Sequence, residues 1–431
     1  MIKGKEILNT GWVIVGTSFI TLALGYGVWY SFSVFFVALL KEFGWSRSIS
    51  AGAFSCFIIM SSLISPFAGN MVYSIGSKRV IIMGSVILGT GLALCSLTET
   101  WWQFYLFFSV ITGVGLGIMG WVPNITLIQI WFKERRGLPV GIISAGIGVG
   151  ILICVPFVQY LIIQVGWRNT FLLMAFFIPL IVISLALLFL KEPPQTLSLH
   201  RVETGIPPSQ GKDPLVIDEQ WVSQLWTVRR AIRTKPFWLL GFSFFLGNMI
   251  TQSIFTHQVA FFVDHQLNPL FAAYIAGIVG IVSLGSKILW GVLSDIIGRE
   301  LTYTMGILCS IFGMITLIYF HFFPSTNLSY AYAIFFGMGY SVTAALPPLI
   351  TADFFDGKSY GGIFGSLIIL IGIGGAFGAW FAGFIYDQTG NYVPVFIVMA
   401  VSALVASLNI WKAAPRKIRR VPGRRKFKKS G

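Results

Sequence analysis

The stretch IVSLGSKILWGVLSD, Ile281–Asp295, is almost entirely apolar but contains one lysine, Lys287. It belongs to an apolar run at 270–293 that is long enough to cross the roughly 30 Å hydrocarbon core of a bilayer. A lysine near the middle of such a helix costs at least about 2.5–3.5 kcal/mol on insertion scales. The stretch therefore predicts a membrane helix that carries a cation for a purpose.

Similar apolar runs recur along the whole chain. Of its 431 residues, 56% are hydrophobic and 10% are charged, whereas a soluble domain has roughly 25% charged residues. Twelve spans are predicted, at 12–38, 49–73, 79–98, 103–131, 138–164, 169–190, 237–263, 270–293, 301–323, 329–351, 360–386 and 391–411. The first span is expected to be a retained helix rather than a cleaved signal peptide. The fold class that follows is an all-α polytopic membrane protein with 12 transmembrane helices.

The net charge of +15 is explained by topology rather than by nucleic-acid binding. With the N-terminus assigned to the cytoplasm, 26 of the 30 Lys and Arg residues fall on the cytoplasmic side, and only Lys41, Arg47 and Arg168 fall on the other. This asymmetry follows the positive-inside rule. It predicts a multi-pass protein of the cell inner (cytoplasmic) membrane with both termini in the cytoplasm.

The longest polar interruption, 191–235, is predicted to be a cytoplasmic linker. It separates an N-terminal six-helix bundle at 1–190 from a C-terminal six-helix bundle at 236–411. The basic cytoplasmic tail at 412–431 has ten cations and no acid. We expect this tail to mark orientation and to contact anionic lipids, and a specific partner site is the alternative.

The two halves of the chain repeat each other. The glycines of GNMVYSIGSKR (69–79) correspond to those of GVLSDIIGRE (291–300) with a shift of 222 residues. Five further glycine pairs correspond with a shift of 224 residues. A duplication of this kind predicts two pseudo-symmetric six-helix bundles with a substrate site near the bilayer midplane. Glycines also let helices approach closely, either for sliding during transport or for tight packing alone.

These motifs resemble those of the major facilitator superfamily, and the resemblance implies the major facilitator fold. The segment GVLSDIIGR (291–299) is similar to the loop signature of that family. The resemblance implies a gating role for Asp295 and Arg299. A narrower resemblance, to monocarboxylate transporters and oxalate/formate antiporters, rests on WFKERRGLPVGIISAGIGVG (131–150). That signature implies a conformational role for Arg135 and Arg136.

Two further segments resemble bacterial members of the same branch, EFGWSRSISAGAFS (42–55) and GYGVWYSFSVFF (25–36). Lys287 stands where animal members carry an arginine, and Ser283 stands where they carry an acid. Tyr26 matches their first-helix tyrosine, and Tyr30 replaces a lysine. The branch implies a carrier of small carboxylates.

The position of Lys287 suggests what it binds. It lies eight residues before Asp295, about 12 Å deeper along a helix. No Asp or Glu occurs inside any predicted span. The carboxylate of a substrate is therefore the expected partner, since an unpaired buried cation is costly. Snorkelling of the side chain to the interface and purely structural pairing are the alternatives.

Other polar and aromatic residues complete the candidate site. His257 is the one histidine in the interior of a predicted span and a candidate for a coupling proton, with a hydrogen bond to the backbone of the seventh or first span as the alternative. Aromatic walls with a few polar tips suit a small organic anion, with plain packing as the alternative. The predicted substrate contacts besides Lys287 are Tyr26, Tyr30, Trp121, Asn124, Ser283 and Tyr340.

No feature of the sequence predicts a cofactor, a metal site or an enzyme. The four cysteines stand singly, and catalytic side chains do not cluster. The predicted function is secondary active transport of small monocarboxylate or dicarboxylate anions by alternating access, with proton symport or anion exchange, by a monomer. The alternative is a major facilitator exporter of drugs or other organic solutes. A membrane enzyme or a sensor is the third possibility.

Overall fold

The computed structural model describes residues 2–132, 137–191, 216–355 and 359–420, and these residues are overwhelmingly helical. The helices are α1 (Ile2–Phe43), α2 (Arg47–Ile75), α3 (Ser77–Cys95), α4 (Trp101–Phe104), α5 (Gly113–Met119), α6 (Trp121–Trp131), α7 (Gly137–Phe189), α8 (Glu219–Val222), α9 (Val228–Ala231), α10 (Lys235–Asp264), α11 (Pro269–Ile297), α12 (Arg299–Phe322), α13 (Thr326–Phe355), α14 (Tyr360–Thr389) and α15 (Val393–Ala413). A π-helical segment, Tyr105–Thr112, joins α4 to α5, and a 3-10 turn, Pro415–Lys417, follows α15.

The predicted all-α membrane architecture is confirmed. Within the described ranges, eleven stretches are long and apolar enough to cross a membrane. Ten correspond to one predicted span each, and the eleventh, Pro139–Phe189, covers the two predicted at 138–164 and 169–190. At 1.5 Å per residue its 51 residues extend about 76 Å, more than two bilayer cores. Its helix is interrupted at Gly166, where φ is 80° and ψ is 161°.

The sequence repeat is visible in the backbone. Gly76 and Gly298, 222 positions apart, have φ of 88° and 110° where α3 and α12 begin. Gly166 and Gly390, 224 positions apart, have φ of 80° and 74°. Positive φ is accessible to glycine without a steric penalty from Cβ. The two halves therefore turn at equivalent positions by the same local means.

Helix crossings repeat as well. A Cβ placed on Gly115 of α5 would lie 2.4 Å from the backbone nitrogen of Leu88 in α3. A Cβ placed on Gly339 of α13 would lie 2.3 Å from the backbone nitrogen of Ser310 in α12. Both separations are too short for any side chain, so only glycine permits either crossing. The prediction that these glycines serve close helix approach is correct at these positions.

The described residues group into two compact units. Unit 1 draws on Met1–Glu203, Gln252–Ile281 and Ala379–Tyr392, and unit 2 draws on Thr204–Thr251, Val282–Gly378 and Val393–Gly431. Unit 1 thus combines α1–α7 with one end of α10, of α11 and of α14. The predicted sequence boundaries at 190/191, 235/236 and 411/412 stay a prediction.

Candidate functional site

Lys287 lies on α11 in unit 2 and its side chain is half-buried. Its Nζ is 3.4 Å from the phenol oxygen of Tyr340 on α13 and 5.4 Å from the centroid of the same ring. The first distance is long for a hydrogen bond, and the second is within the range of a cation–π contact. Among the described residues no Asp or Glu forms an ion pair with Lys287. The ammonium has three donors, so it keeps capacity for an anion.

Packing between α11 and α13 holds Lys287 and Tyr340 together. The indole nitrogen of Trp290 donates to the carbonyl of Met338 at 2.8 Å, which pins the two helices beside the pair. Tyr340 is 5% exposed, so its ring is a fixed wall. Ser283 lies one turn before Lys287 and is fully buried. Of the predicted site residues, the structure brings together Lys287 and Tyr340, with Ser283 on the adjoining turn.

The remaining predicted contacts belong to unit 1. Tyr26 and Tyr30 flank Trp29 on α1, with ring centroids 5.7 Å and 6.5 Å from the indole. Tyr30 in turn lies 4.7 Å from the ring of Phe255 on α10. Trp121 is half-buried at the start of α6. Tyr26, Trp29, Tyr30 and Phe255 thus form a row of neighbouring rings from α1 to α10.

Several polar atoms in unit 1 are buried without a hydrogen-bond partner in the described residues. They include the indole nitrogen of Trp29, the amide oxygen of Gln252 and the Oδ1 of Asn124. The Nδ2 of Asn124 donates to the carbonyls of Met119 (2.8 Å) and Gly120 (2.7 Å), so this side chain also braces the break between α5 and α6. Buried polar atoms usually have partners, and a bound solute or water supplies them where protein does not.

Trp29 was not a predicted site residue. Its signal in the sequence is an indole N–H donor placed between two tyrosines of a predicted membrane span. Such a donor has to find an acceptor, because a buried indole nitrogen normally makes a hydrogen bond.

Asp295 and Arg299, which are both predicted to have a gating role, are in contact. Arg299 bonds Asp295 at 2.7 Å and also bonds Asp353, at the end of α13, at 2.9 Å. Asp353 is a residue that sequence reasoning missed, because it lies 54 positions away. Its side chain is 16% exposed and that of Asp295 is 51% exposed, so the pair with Asp353 is the better shielded one. Arg135 and Arg136 lie outside the described residues.

His257 is buried on α10, and both of its ring nitrogens have partners. Nδ1 is 2.8 Å from the phenol oxygen of Tyr392, and Nε2 is 2.9 Å from the carbonyl oxygen of Ala379 on α14. The ring of Phe36 on α1 meets the imidazole edge to face, with centroids 5.0 Å apart. His257 therefore makes a backbone hydrogen bond, but to a helix far along the chain, and a side-chain bond besides.

Arg47, at the start of α2, holds the ends of α10 and α14. Its Nη2 donates to both carboxylate oxygens of Asp264, at 2.8 Å and 2.7 Å. The Asp387 carboxylate accepts from the backbone nitrogens of Arg47 (2.9 Å) and Ser48 (2.8 Å), an anion placed at a helix N-terminus. The guanidinium stacks 3.7 Å from the ring centroid of Tyr386. Arg47 also donates to the phenol oxygen of Tyr392.

One surface cavity lies apart from the predicted site residues. It has a volume of about 480 Å³ and is lined by the end of α1, by α7 and by Pro269, with Lys41 and Gln159 among its polar side chains. None of the predicted site residues lines it. In the described ranges, no three His, Cys, Asp or Glu side chains converge in the way metal ligands do.

A profile of the Major Facilitator Superfamily matches residues 18–365. Monocarboxylate transporter 13 of Bos taurus is 26% identical over 403 residues, which cover 92% of this chain and 88% of that protein. Monocarboxylate transporter 2 of Homo sapiens is 25% identical over 409 residues, which cover 93% of this chain and 84% of that protein.

A solved structure supports the same fold. It is the crystal structure of a bacterial homolog to the human lysosomal transporter Spinster, in an inward-facing and unoccupied conformation. The TM-score is 0.70 at 16% sequence identity, and the alignment covers 95% of this chain and 98% of that one.

Proposed function

Because the chain belongs to the Major Facilitator Superfamily and is therefore a multi-pass membrane transporter rather than an enzyme, we propose that it carries small monocarboxylate or dicarboxylate anions. Transport proceeds by alternating access, coupled to proton symport or to anion exchange. The observation that carries the proposal is the half-buried ammonium of Lys287, which contacts a tyrosine and pairs with no carboxylate of the described residues.

A cation at this depth in a membrane helix is expensive, and a carboxylate that pairs with it removes much of the cost. Tyr340 contributes a hydroxyl and a ring face, which orient the ammonium without neutralising it. A neutral solute gains nothing comparable from the lysine. The site therefore favours an acid over its neutral analogues.

Roles for the other candidates follow from their chemistry. Trp29 supplies an N–H donor that suits a carboxylate oxygen, and Gln252 and Asn124 supply acceptors for a hydroxyl. Tyr26, Tyr30 and Trp121 supply apolar walls, and Ser283 lies beside the lysine on α11.

The test is uptake of labelled carboxylates by the purified full chain in proteoliposomes. We expect Lys287→Ala to lower uptake at subsaturating substrate by about 30-fold or more, because losing one partner of a desolvated charge pair costs at least about 2 kcal/mol. Lys287→Arg keeps the charge and is expected to retain part of the activity. Lys412→Ala, at the exposed end of α15, is the matched lysine control and is expected to transport normally.

Normal uptake by Lys287→Ala would contradict the assignment of this lysine. A cargo panel separates the proposal from export of drugs or other organic solutes. Lactate, pyruvate, formate and oxalate are expected to raise the melting temperature of the purified protein, whereas the corresponding amides are not. Stabilisation by amides as strong as that by acids would favour the other class of cargo.

We also propose how the chain is oriented in the membrane and in which membrane it lies. Both termini are cytoplasmic, and the chain acts as a monomer in the cell inner membrane. The distribution of cations supports this orientation, with 26 of 30 on one side of the predicted topology. The ten cations of the tail, 412–431, contact anionic lipids at that surface.

A further inference from the structure

We propose that Arg47, Tyr392 and His257 form a latch that closes one end of the carrier when His257 is neutral and releases it when His257 takes up a proton. This latch lies at the ends of α2, α10 and α14 that are away from the linker, the predicted non-cytoplasmic side. The inference builds on the proposed alternating-access function and is independent of the identity of the cargo.

When the imidazole is neutral, the hydrogen bonds of the latch have only one consistent direction. The carbonyl of Ala379 accepts only, so Nε2 of His257 carries the hydrogen. Arg47 donates only, so the oxygen of Tyr392 accepts from it. Burial raises the pKa of the Tyr392 phenol, which therefore keeps its proton and donates it to Nδ1. The chain runs from Arg47 through Tyr392 and His257 to Ala379, with the imidazole neutral.

A proton on His257 disrupts this chain. Protonated Nδ1 could no longer accept from the Tyr392 hydroxyl, and it would direct a second donor at an oxygen that already accepts from Arg47. It would also add a positive charge to a buried site that already holds a guanidinium. Either effect favours separation of Arg47, Tyr392 and His257. By linkage, a closed latch disfavours the proton and an open latch admits it.

Charged and titratable groups approach His257 and Arg47 from several helices. Arg47 comes from α2, and the Tyr392 phenol comes from the turn after α14. The carboxylates of Asp264 and Asp387 both bind Arg47 rather than the imidazole. The α1 helix presents the ring of Phe36. Tyr386 stacks on Arg47, and Nδ1 of His265 is 2.8 Å from the carbonyl oxygen of Phe261.

The latch spans the sequence repeat, which is why it bears on transport. Arg47 belongs to the first half of the chain, and its partners Asp264, Asp387 and Tyr392 belong to the second. Alternating access moves repeats or bundles against one another. A bidentate ion pair, a capped helix start and a stacked guanidinium that join the two halves at one end must all come apart before that end opens.

The experiment measures the latch directly, without cargo. Spin labels are placed at the exposed positions Leu97 and Gln388 in full-length protein whose four native cysteines are alanine, and pulsed EPR gives the distance distribution from about pH 8 to about pH 5, the interval in which an imidazole titrates. In the protein with its latch residues unchanged, most label pairs are expected to be at the short distance at about pH 8. The fraction of label pairs at the long distance should rise several-fold at about pH 5.

Variants assign the response to residues. His257→Gln offers an amide N–H to Ala379 and an amide oxygen to Tyr392 but does not titrate, so its distribution should stay short at both pH values. His265→Gln, eight positions along the chain, is the matched histidine control and should respond like the parent. Tyr392→Phe removes the bridging hydroxyl and should raise the long-distance fraction at the upper pH by about threefold or more, the loss of roughly one hydrogen bond.

The proposal is overturned if the parent distribution does not change with pH, if His257→Gln still responds, or if Tyr392→Phe stays latched. Elution of each variant as a single folded species confirms that the comparison is between folded proteins. If the carrier fails to take up carboxylates, the pH response of the latch would still be valid evidence for the latch. If the latch does not respond to pH, carboxylate uptake would not support it, so the two proposals are tested independently.

Discussion

Arg299 forms ion pairs with two carboxylates, and burial determines how much each pair contributes to stability. Its guanidinium is 10% exposed and bonds both Asp295 and Asp353. Exposed ion pairs contribute little, because water screens them and both side chains lose entropy. A shielded pair is different, since removing one partner leaves a desolvated charge behind. Asp353, rather than the predicted Asp295, is therefore the carboxylate on which this arginine depends.

We expect Asp353→Asn to lower stability far more than Asp295→Asn. Breaking the shielded pair costs about 3–5 kcal/mol, whereas breaking the exposed pair costs about 0.2–1 kcal/mol. The measurement is thermal unfolding of the purified variants in detergent. Equal losses for the two variants would show that solvent reaches both pairs alike.

At the scale of the helices, glycine decides how closely two backbones approach. A Cβ on Gly150 of α7 would lie 2.2 Å from the carbonyl oxygen of Ala23 on α1. A Cβ on Gly374 of α14 would lie 2.2 Å from the carbonyl oxygen of Phe245 on α10. The two crossings are related by the same sequence repeat. Membrane helices commonly use small residues in this way, since apolar lipid provides no hydrophobic force to hold them together.

Gly150→Ala and Gly374→Ala are expected to lower the melting temperature, because backbone has to move to admit one methyl group. Gly141→Ala and Gly365→Ala are the matched controls in the same two helices, where nothing lies within 4 Å of the added carbon. The controls are expected to be neutral or slightly stabilising, by up to about 1 kcal/mol, because alanine favours a helix more than glycine does. Destabilisation of all four variants by the same amount would contradict a role for close approach.

At the scale of the whole chain, segments far apart in sequence meet on unit 2. The backbone nitrogens of Ile217 and Asp218, after the linker, donate to the carbonyl of Ile418 at 2.9 Å and 3.3 Å. Arg416 bonds Glu300, at the start of α12, through both its backbone nitrogen (2.9 Å) and its Nη1 (3.2 Å). The Glu300 side chain is 5% exposed. The first residues after α15 thus make specific contacts with the rest of unit 2, in addition to contributing positive charge.

Truncation separates these two functions of the tail. Removing 415–431 is expected to lower the melting temperature by several degrees, because the shielded Glu300 carboxylate loses its partner and the backbone at 217–218 loses its acceptor. Removing only 421–431 keeps all of these contacts and is expected to leave the melting temperature unchanged. Unfolding of both truncated proteins in anionic nanodiscs is the measurement. Equal losses would assign the stability to the cations of 421–431 instead.

What the sequence by itself determined is local and repetitive. Apolar runs predicted every membrane-crossing segment of the described chain, and the glycine spacing predicted a duplication that recurs in φ angles and helix crossings. A helix is stabilised by bonds between residues four apart, so its presence can be predicted from a short window. The pairing of Asp295 with Arg299 is of the same local kind. The sequence also identified Lys287 as a candidate, because it is a charged residue in an apolar membrane span.

Only the tertiary structure decided which distant residues meet. Asp353 approaches Arg299 across 54 positions, and Asp387 and Tyr392 approach Arg47 across about 340. Trp29 became a candidate only when its indole nitrogen was found buried without a partner among the described residues. Such meetings depend on where helices cross and which way each one is rotated. Those quantities arise from the packing of all the helices together, and no short stretch of sequence contains them.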